Sequence, residues 1–70
     1  MKAVYRVTMW EMERGWGRKH WADHDFTSLE EAKLFANTEN SKNTEVTVPD
    51  WYVYADKPRL VDAELDPPRA

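Results

Sequence analysis

Glu13-Arg14-Gly15-Trp16-Gly17 decides the fold, because it holds both glycines of a 70-residue chain and lies between two segments rich in strand-forming residues. Paired glycines at such a boundary supply the positive φ or close backbone approach that a tight turn needs. A hairpin is therefore predicted here. On its N-terminal side, residues 3–10 (Ala-Val-Tyr-Arg-Val-Thr-Met-Trp) set Tyr5, Val7 and Met9 on one face and Val4, Arg6, Thr8 and Trp10 on the other. On its C-terminal side a second strand covers residues 18–26, with His20, Ala22, His24 and Phe26 alternating with Trp21, Asp23 and Asp25.

A helix follows directly. Thr27-Ser28-Leu29-Glu30 and the overlapping Ser28-Leu29-Glu30-Glu31 both fit a capping box, with acidic residues where the first helical turn favours them. Leu29, Ala32, Phe35 and Ala36 form an apolar stripe that lies on a sheet, and the helix ends near Asn40. Asn37, Asn40 and Asn43, with Ser41 and Thr44 between them, favour caps and turns, a polar loop fills about 41–47, and Pro49-Asp50 breaks the chain before a third strand, Trp51-Tyr52-Val53-Tyr54-Ala55. Leu60-Val61 offers a few more extended residues. The reading is α+β: a single ββαβ domain over residues 1–60, with a three-stranded sheet carrying one helix on one face. Residues 61–70, acidic and ending in Pro67-Pro68, read as a loose tail.

A chain this short supports a small core, and with no cysteine it has no disulfide to reinforce it. Heavy aromatic burial and self-association are the remaining compensations, so a homodimer is expected. The sheet face away from the helix has no covering element in this reading. Such a face becomes a dimer contact or a partner surface, or the sheet curls enough for its own tail to cover it. The sequence has no apolar run of the roughly 20 residues that span a membrane, and it reads as a cytoplasmic protein.

The net charge of −3 is unevenly spread: residues 1–21 carry five Lys or Arg against two acidic groups, and residues 22–70 carry five against eleven. An acidic whole disfavours duplex nucleic acid, whose binding depends on phosphate neutralisation. His20 and His24 would sit on the same side of a regular strand ~13 Å apart, too far to share a metal ion, and no metal site is expected. There is no P-loop, dinucleotide fingerprint or HExxH motif, and no nucleophile with an evident base. Neither enzymatic activity nor a cofactor is expected.

Four tryptophans in 70 residues exceed what a small core needs, and three of them fall within positions 10–21. Trp10 and Trp51 lie in strand patterns where sheet packing explains them. Trp16 and Trp21 lie among cations, which makes Arg14, Trp16, Arg18, Lys19, His20 and Trp21 the candidate binding residues. Indoles stack on planar ligands and fill partner pockets, while arginine pairs bidentately with phosphate. Two functions follow from different classes. One is a protein-binding module using exposed aromatics and an acidic half; the other captures a nucleotide-like anion between Trp16, Trp21 and the Arg14, Arg18 and Lys19 cations. Single-stranded nucleic acid is a third ligand, which the net charge disfavours.

The segments Trp10-Glu11-Met12-Glu13-Arg14-Gly15-Trp16-Gly17, Phe26 with Glu30-Glu31-Ala32, and Pro49-Asp50-Trp51-Tyr52 with Ala55 together resemble short proteins encoded by tailed bacteriophages. The resemblance spans residues 3–57. It implies an accessory protein in a bacterial cytoplasm that binds and inhibits host or defence machinery, and it brings no assigned site residues.

Overall fold

The computed structural model describes residues 2–43 and 51–69. In order along the chain these form β1 (Ala3–Glu13), β2 (Gly17–Phe26), α1 (Leu29–Asn40), β3 (Trp51–Ala55) and β4 (Arg59–Asp62). The expected polar loop at 41–47 and the Pro49-Asp50 break lie largely or wholly outside the described residues. The α+β class holds, but the sheet has four antiparallel strands where the sequence pattern gives three. β1 is the central strand, with β2 along one edge. Its other edge is shared: β3 pairs residues 9–13 and β4 pairs residues 3–6. Leu60 and Val61 thus join the sheet, because β1 is long enough to leave half of that edge open beyond β3.

The hairpin turns as predicted. Trp16 donates its backbone N–H to the Glu13 carbonyl at 3.0 Å, and Gly15 takes φ 86°, the sign required at the third position of a type II turn. At Gly17 φ is 80°, which again favours glycine, and strand pairing starts there opposite Glu13.

Along the hairpin the register shifts once. Met9 faces Ala22 but Trp10 faces His20, so Trp21 is an extra residue in a β-bulge. A single inserted residue reverses the alternation beyond it. His24 and His20 therefore sit on opposite faces, correcting the expectation that they share one.

One face is covered by α1. Ser28 caps the helix by accepting the Glu31 N–H, and acidic Glu30 and Glu31 occupy the first turn. Ala32 and Ala36 pack on Val7, Met9 and Ala55, with Tyr5, Phe26, Phe35 and Val53 around them. Leu29, expected within the apolar stripe, is 38% exposed at its margin. Small alanines at the contact let the helix lie close to the sheet, and they also keep the core thin.

The second face is covered too, by the chain's own C-terminal segment. After β4, Ala63 donates to the Lys2 carbonyl, Asp66 lies over β1, and Arg69 reaches the outer edge of β2. There Asp23 donates its N–H to the Arg69 carbonyl at 2.7 Å and accepts the Arg69 N–H on its carboxylate at 3.0 Å. Residues 63–69 therefore form a strap tied across the sheet and not a loose tail, and of the three outcomes open for this face the structure shows cover by the chain's own tail. Beneath it Arg6 is 1% exposed.

Asparagines guard the outer edge of β3. Asn40 accepts the Ala55 N–H and donates to the Ala55 carbonyl, and Asn43 donates to the Val53 carbonyl. An edge strand offers such groups to any passing strand, so these side chains occupy them from within.

Candidate functional site

Strand alternation and the bulge distribute the six candidate residues over three places. Arg14 and Trp16 stand at the hairpin tip, and Trp16 is 83% exposed. Lys19 and Trp21 lie on the helix-bearing face beyond the reach of α1. Arg18 and His20 lie on the strap-bearing face. The structure brings Trp16, Arg18 and Lys19 to one shallow cleft with Glu11 and Glu13, but Arg14 and Trp21 do not line it, so the expected clamp of two indoles and three cations is not formed.

On the helix-bearing face Trp21 meets Trp51 edge to face, with ring centroids 5.9 Å apart, and both are nearly half exposed, at 47% and 44%. Glu11 on β1 lies between their strands. Its carboxylate accepts the Trp51 indole N–H at 2.8 Å and pairs with the Lys19 ammonium at 3.0 Å. The Trp51 hydrogen bond, then Lys19, hold the Glu11 carboxyl below its ordinary range against the opposing effect of desolvation. This arrangement fixes the two indoles while leaving their outer faces to solvent. Trp51, which sheet packing seemed to explain from sequence, thus belongs to the exposed aromatic surface. Its parity with Val53 and Ala55 is readable, whereas the proximity of Trp21 depends on the bulge.

The opposite face uses its aromatics internally. The Arg18 guanidinium lies 4.3 Å from the Trp10 ring centroid and donates to the Tyr54 hydroxyl at 2.9 Å, a contact that favours the charged guanidinium. Trp10 donates to Asp56 at 3.3 Å and meets the His20 ring edge to face. His20 also contacts the Asp23 carboxylate at 3.0 Å. Arg18 and His20 are therefore already engaged by their own chain.

Further along this face Arg6 donates from Nε and Nη2 to the two Asp25 oxygens at 2.7 and 3.1 Å, and from Nη2 to the Asp66 carbonyl at 2.6 Å. The Asp25 hydrogen bond first, and then the charges of Asp25, Asp23 and Asp66, raise its already high pKa despite burial. Asp23 accepts from Thr8, His20 and the Arg69 backbone. Burial pushes the Asp23 carboxyl up, but these bonds, led by Arg69, outweigh it and leave a lowered pKa.

No group of three or more His, Asp or Glu side chains among the described residues is arranged to hold a metal ion. Among the same residues no helix is long and apolar enough to cross a membrane. Comparison with protein families, curated proteins and solved structures finds no match to the chain.

Proposed function

We propose that this protein is a non-enzymatic protein-binding module that engages a bacterial host or defence protein in the cytoplasm through Trp16, Trp21 and Trp51. The observation that carries this reading is the exposure of three indoles, Trp21 and Trp51 paired on the helix-bearing face at 47% and 44% and Trp16 at the hairpin tip at 83%. Clustered exposed aromatics on a small domain are the usual anchors of an interface, since each buries a large apolar area with little loss of side-chain freedom. Residues 22–70 carry six more acidic than basic groups, which favours approach to a basic partner surface. The resemblance to short phage proteins supports a host target.

A homodimer is part of the same proposal, supported by the thinness of the core. Its buried apolar side chains among the described residues are Val4, Val7, Met9 and three alanines. Sedimentation velocity at tens of micromolar is expected to give twice the chain mass.

The test of the binding reading is capture from bacterial lysate by wild type and by Trp16→Ala and Trp21→Ala variants, followed by titration of the purified partner. A stoichiometric partner whose affinity falls at least tenfold in each variant is expected. Capture of no such partner, or undiminished binding by both variants, would overturn the reading.

A further inference from the structure

On the strap-bearing face, the strand register at the hairpin end sets two rows of side chains across the sheet: His20, Trp10 and Tyr54 in one, Arg18, Met12 and Tyr52 in the other. The Arg18 guanidinium bridges the rows, over the Trp10 ring and onto the Tyr54 hydroxyl, and the Tyr52 and Tyr54 rings stand 6.1 Å apart with a tilt of 42°. These contacts hold the array in place. Its aromatic rings and Met12 nevertheless stay partly exposed, and Arg18 is exposed. Beside Met12, Tyr52 and Tyr54 the surface falls into a shallow cavity of about 390 Å³ that Asn40 and Asn43 also line.

The charges in this array cancel. Arg18 lies within the field of Asp56, whose carboxylate accepts the Trp10 indole N–H and the Lys57 backbone N–H, and His20 is held to Asp23. Neither an anion nor a cation is selected. Hydrogen-bonding capacity is lopsided instead. A guanidinium carries five N–H donors, of which Arg18 gives one to Tyr54, and the Tyr54 hydroxyl keeps its own proton. The Tyr52 hydroxyl makes no hydrogen bond with another described residue. The acceptors nearby are engaged, since Asp56 serves Trp10 and Lys57 while the Asn40 and Asn43 amides turn to the β3 backbone. The matching ligand is uncharged and apolar, with carbonyl acceptors and few N–H donors. A polyproline II segment has that character, because proline lacks the N–H and the helix leaves its carbonyls unbonded.

The chain's own strap uses this chemistry on the adjoining half of the same face. Asp66-Pro67-Pro68-Arg69 crosses from above β1 to the outer edge of β2, Asp66 and Arg69 share a cleft with Trp10 and His20, and the carbonyl preceding Pro67 accepts from the Arg6 guanidinium at 2.6 Å. We propose that the half carrying Tyr52 and Tyr54 receives a proline-rich segment of a partner protein, laid across the strands beside the strap. Its proline rings pack against the two tyrosines, and its carbonyls accept from Arg18 and the phenol hydroxyls. The dimensions agree, since one turn of polyproline II rises about 9 Å over three residues and the outer two of three adjacent strands lie about 10 Å apart. This surface faces away from Trp21 and Trp51 and does not depend on the one they form.

The experiment titrates the isotope-labelled full chain with an acetylated, amidated decaproline, followed by NMR. Saturable shifts of the Tyr52 and Tyr54 ring signals and of the Trp10 indole are expected, with the signals of α1 unmoved, and a Gly-Ser peptide of equal length should give none. Tyr52→Ala should weaken binding at least about tenfold, as loss of an aromatic anchor does. Leu34→Ala, at an exposed position of α1, leaves it unchanged. If lost protection of the β3 amides shows that Tyr52→Ala disturbs the sheet, Tyr52→Phe decides: it keeps the ring, and the missing hydrogen bond lowers affinity about two- to tenfold. Absence of saturable binding up to about 10 mM peptide, a ceiling near the weakest affinities of specific sites, would overturn the proposal. So would undiminished affinity in the deciding variant, or binding of maltotriose at the same signals as tightly as the peptide, which would make this a site for a neutral saccharide.

Discussion

The two faces of this small sheet are covered by different physics. Under α1 the contacts are apolar and non-directional: Val7 and Met9 against Ala32, Ala36 and Ala55. Under the strap they are directional: Arg6 with Asp25 and Asp66, and Asp23 with Thr8, His20 and Arg69. The first kind tolerates small shifts and gains by area, whereas the second depends on every partner being present. The comparison predicts how each face fails.

The largest expected loss comes from removing the hub of the polar face. Arg6→Ala leaves Asp25 without its partner and unties the strap at Asp66, costing about 2–3 kcal/mol in urea unfolding. That figure is at the lower end for a buried pair because Asp25 keeps 17% exposure and Asp66 is more than half exposed. Replacing both partners together, as Arg6→Met with Asp25→Leu, should cost less than the single change, since no charge is then stranded. A double substitution that costs as much as the sum of the single ones would break the contrast between the faces.

On the apolar face Met9→Ala is expected to lose about 2 kcal/mol, from the buried side-chain atoms removed and the cavity left under α1. The thin alanine contact allows partial collapse, which places it at the low end. Thermal unfolding by circular dichroism measures it, and a loss under about 0.5 kcal/mol would show that the helix does not rest there.

Asn40→Ala should cost about 1 kcal/mol by removing two hydrogen bonds from the edge of β3. Because Ala55 then presents its backbone groups to solvent, light scattering should also show increased association. Unchanged stability and association would deny the asparagine its edge-guarding role.

The smallest effect concerns pH. The folded Asp23 carboxyl titrates below its unfolded value, so its stabilisation is present above the unfolded pKa and is lost as pH falls through the folded one. Wild type should therefore lose stability in the acid range below about pH 4, where model carboxylates protonate, more steeply than Asp23→Asn does. Parallel slopes for the two proteins would remove Asp23 from the account.

The difference between the faces also explains what was legible in the sequence. Period-two alternation placed Val7 and Met9, the glycine pair marked the hairpin, and Ser28 with Glu31 marked the helix start. Those signals are local. The strap was hidden because its bonds join Arg6 to Asp66 and Asp23 to Arg69 across most of the chain, and an acidic segment ending in prolines looks solvated when read alone. β4 was only hinted at by Leu60 and Val61, since nothing local says that β1 leaves an edge open for them.

For the candidate site, the Trp16 exposure follows from its place on a glycine turn, but the separation of Lys19 and Trp21 from Arg18 and His20 does not. It depends on one extra residue in β2, at which Trp21 joins Trp51 and His20 joins Trp10 on the opposite face. No residue type in His20-Trp21-Ala22 announces a bulge. Yet that residue determines which aromatics stand together at the hairpin end.

The most direct test of this division of the sheet is a proton NOE spectrum of the aromatic rings in the full chain. Cross-peaks between the Trp21 and Trp51 indoles and between the His20 and Trp10 rings are predicted, with none joining Trp21 to Trp10. Cross-peaks from Trp21 to Trp10, with His20 instead close to Glu11 on the helix-bearing face, would contradict it.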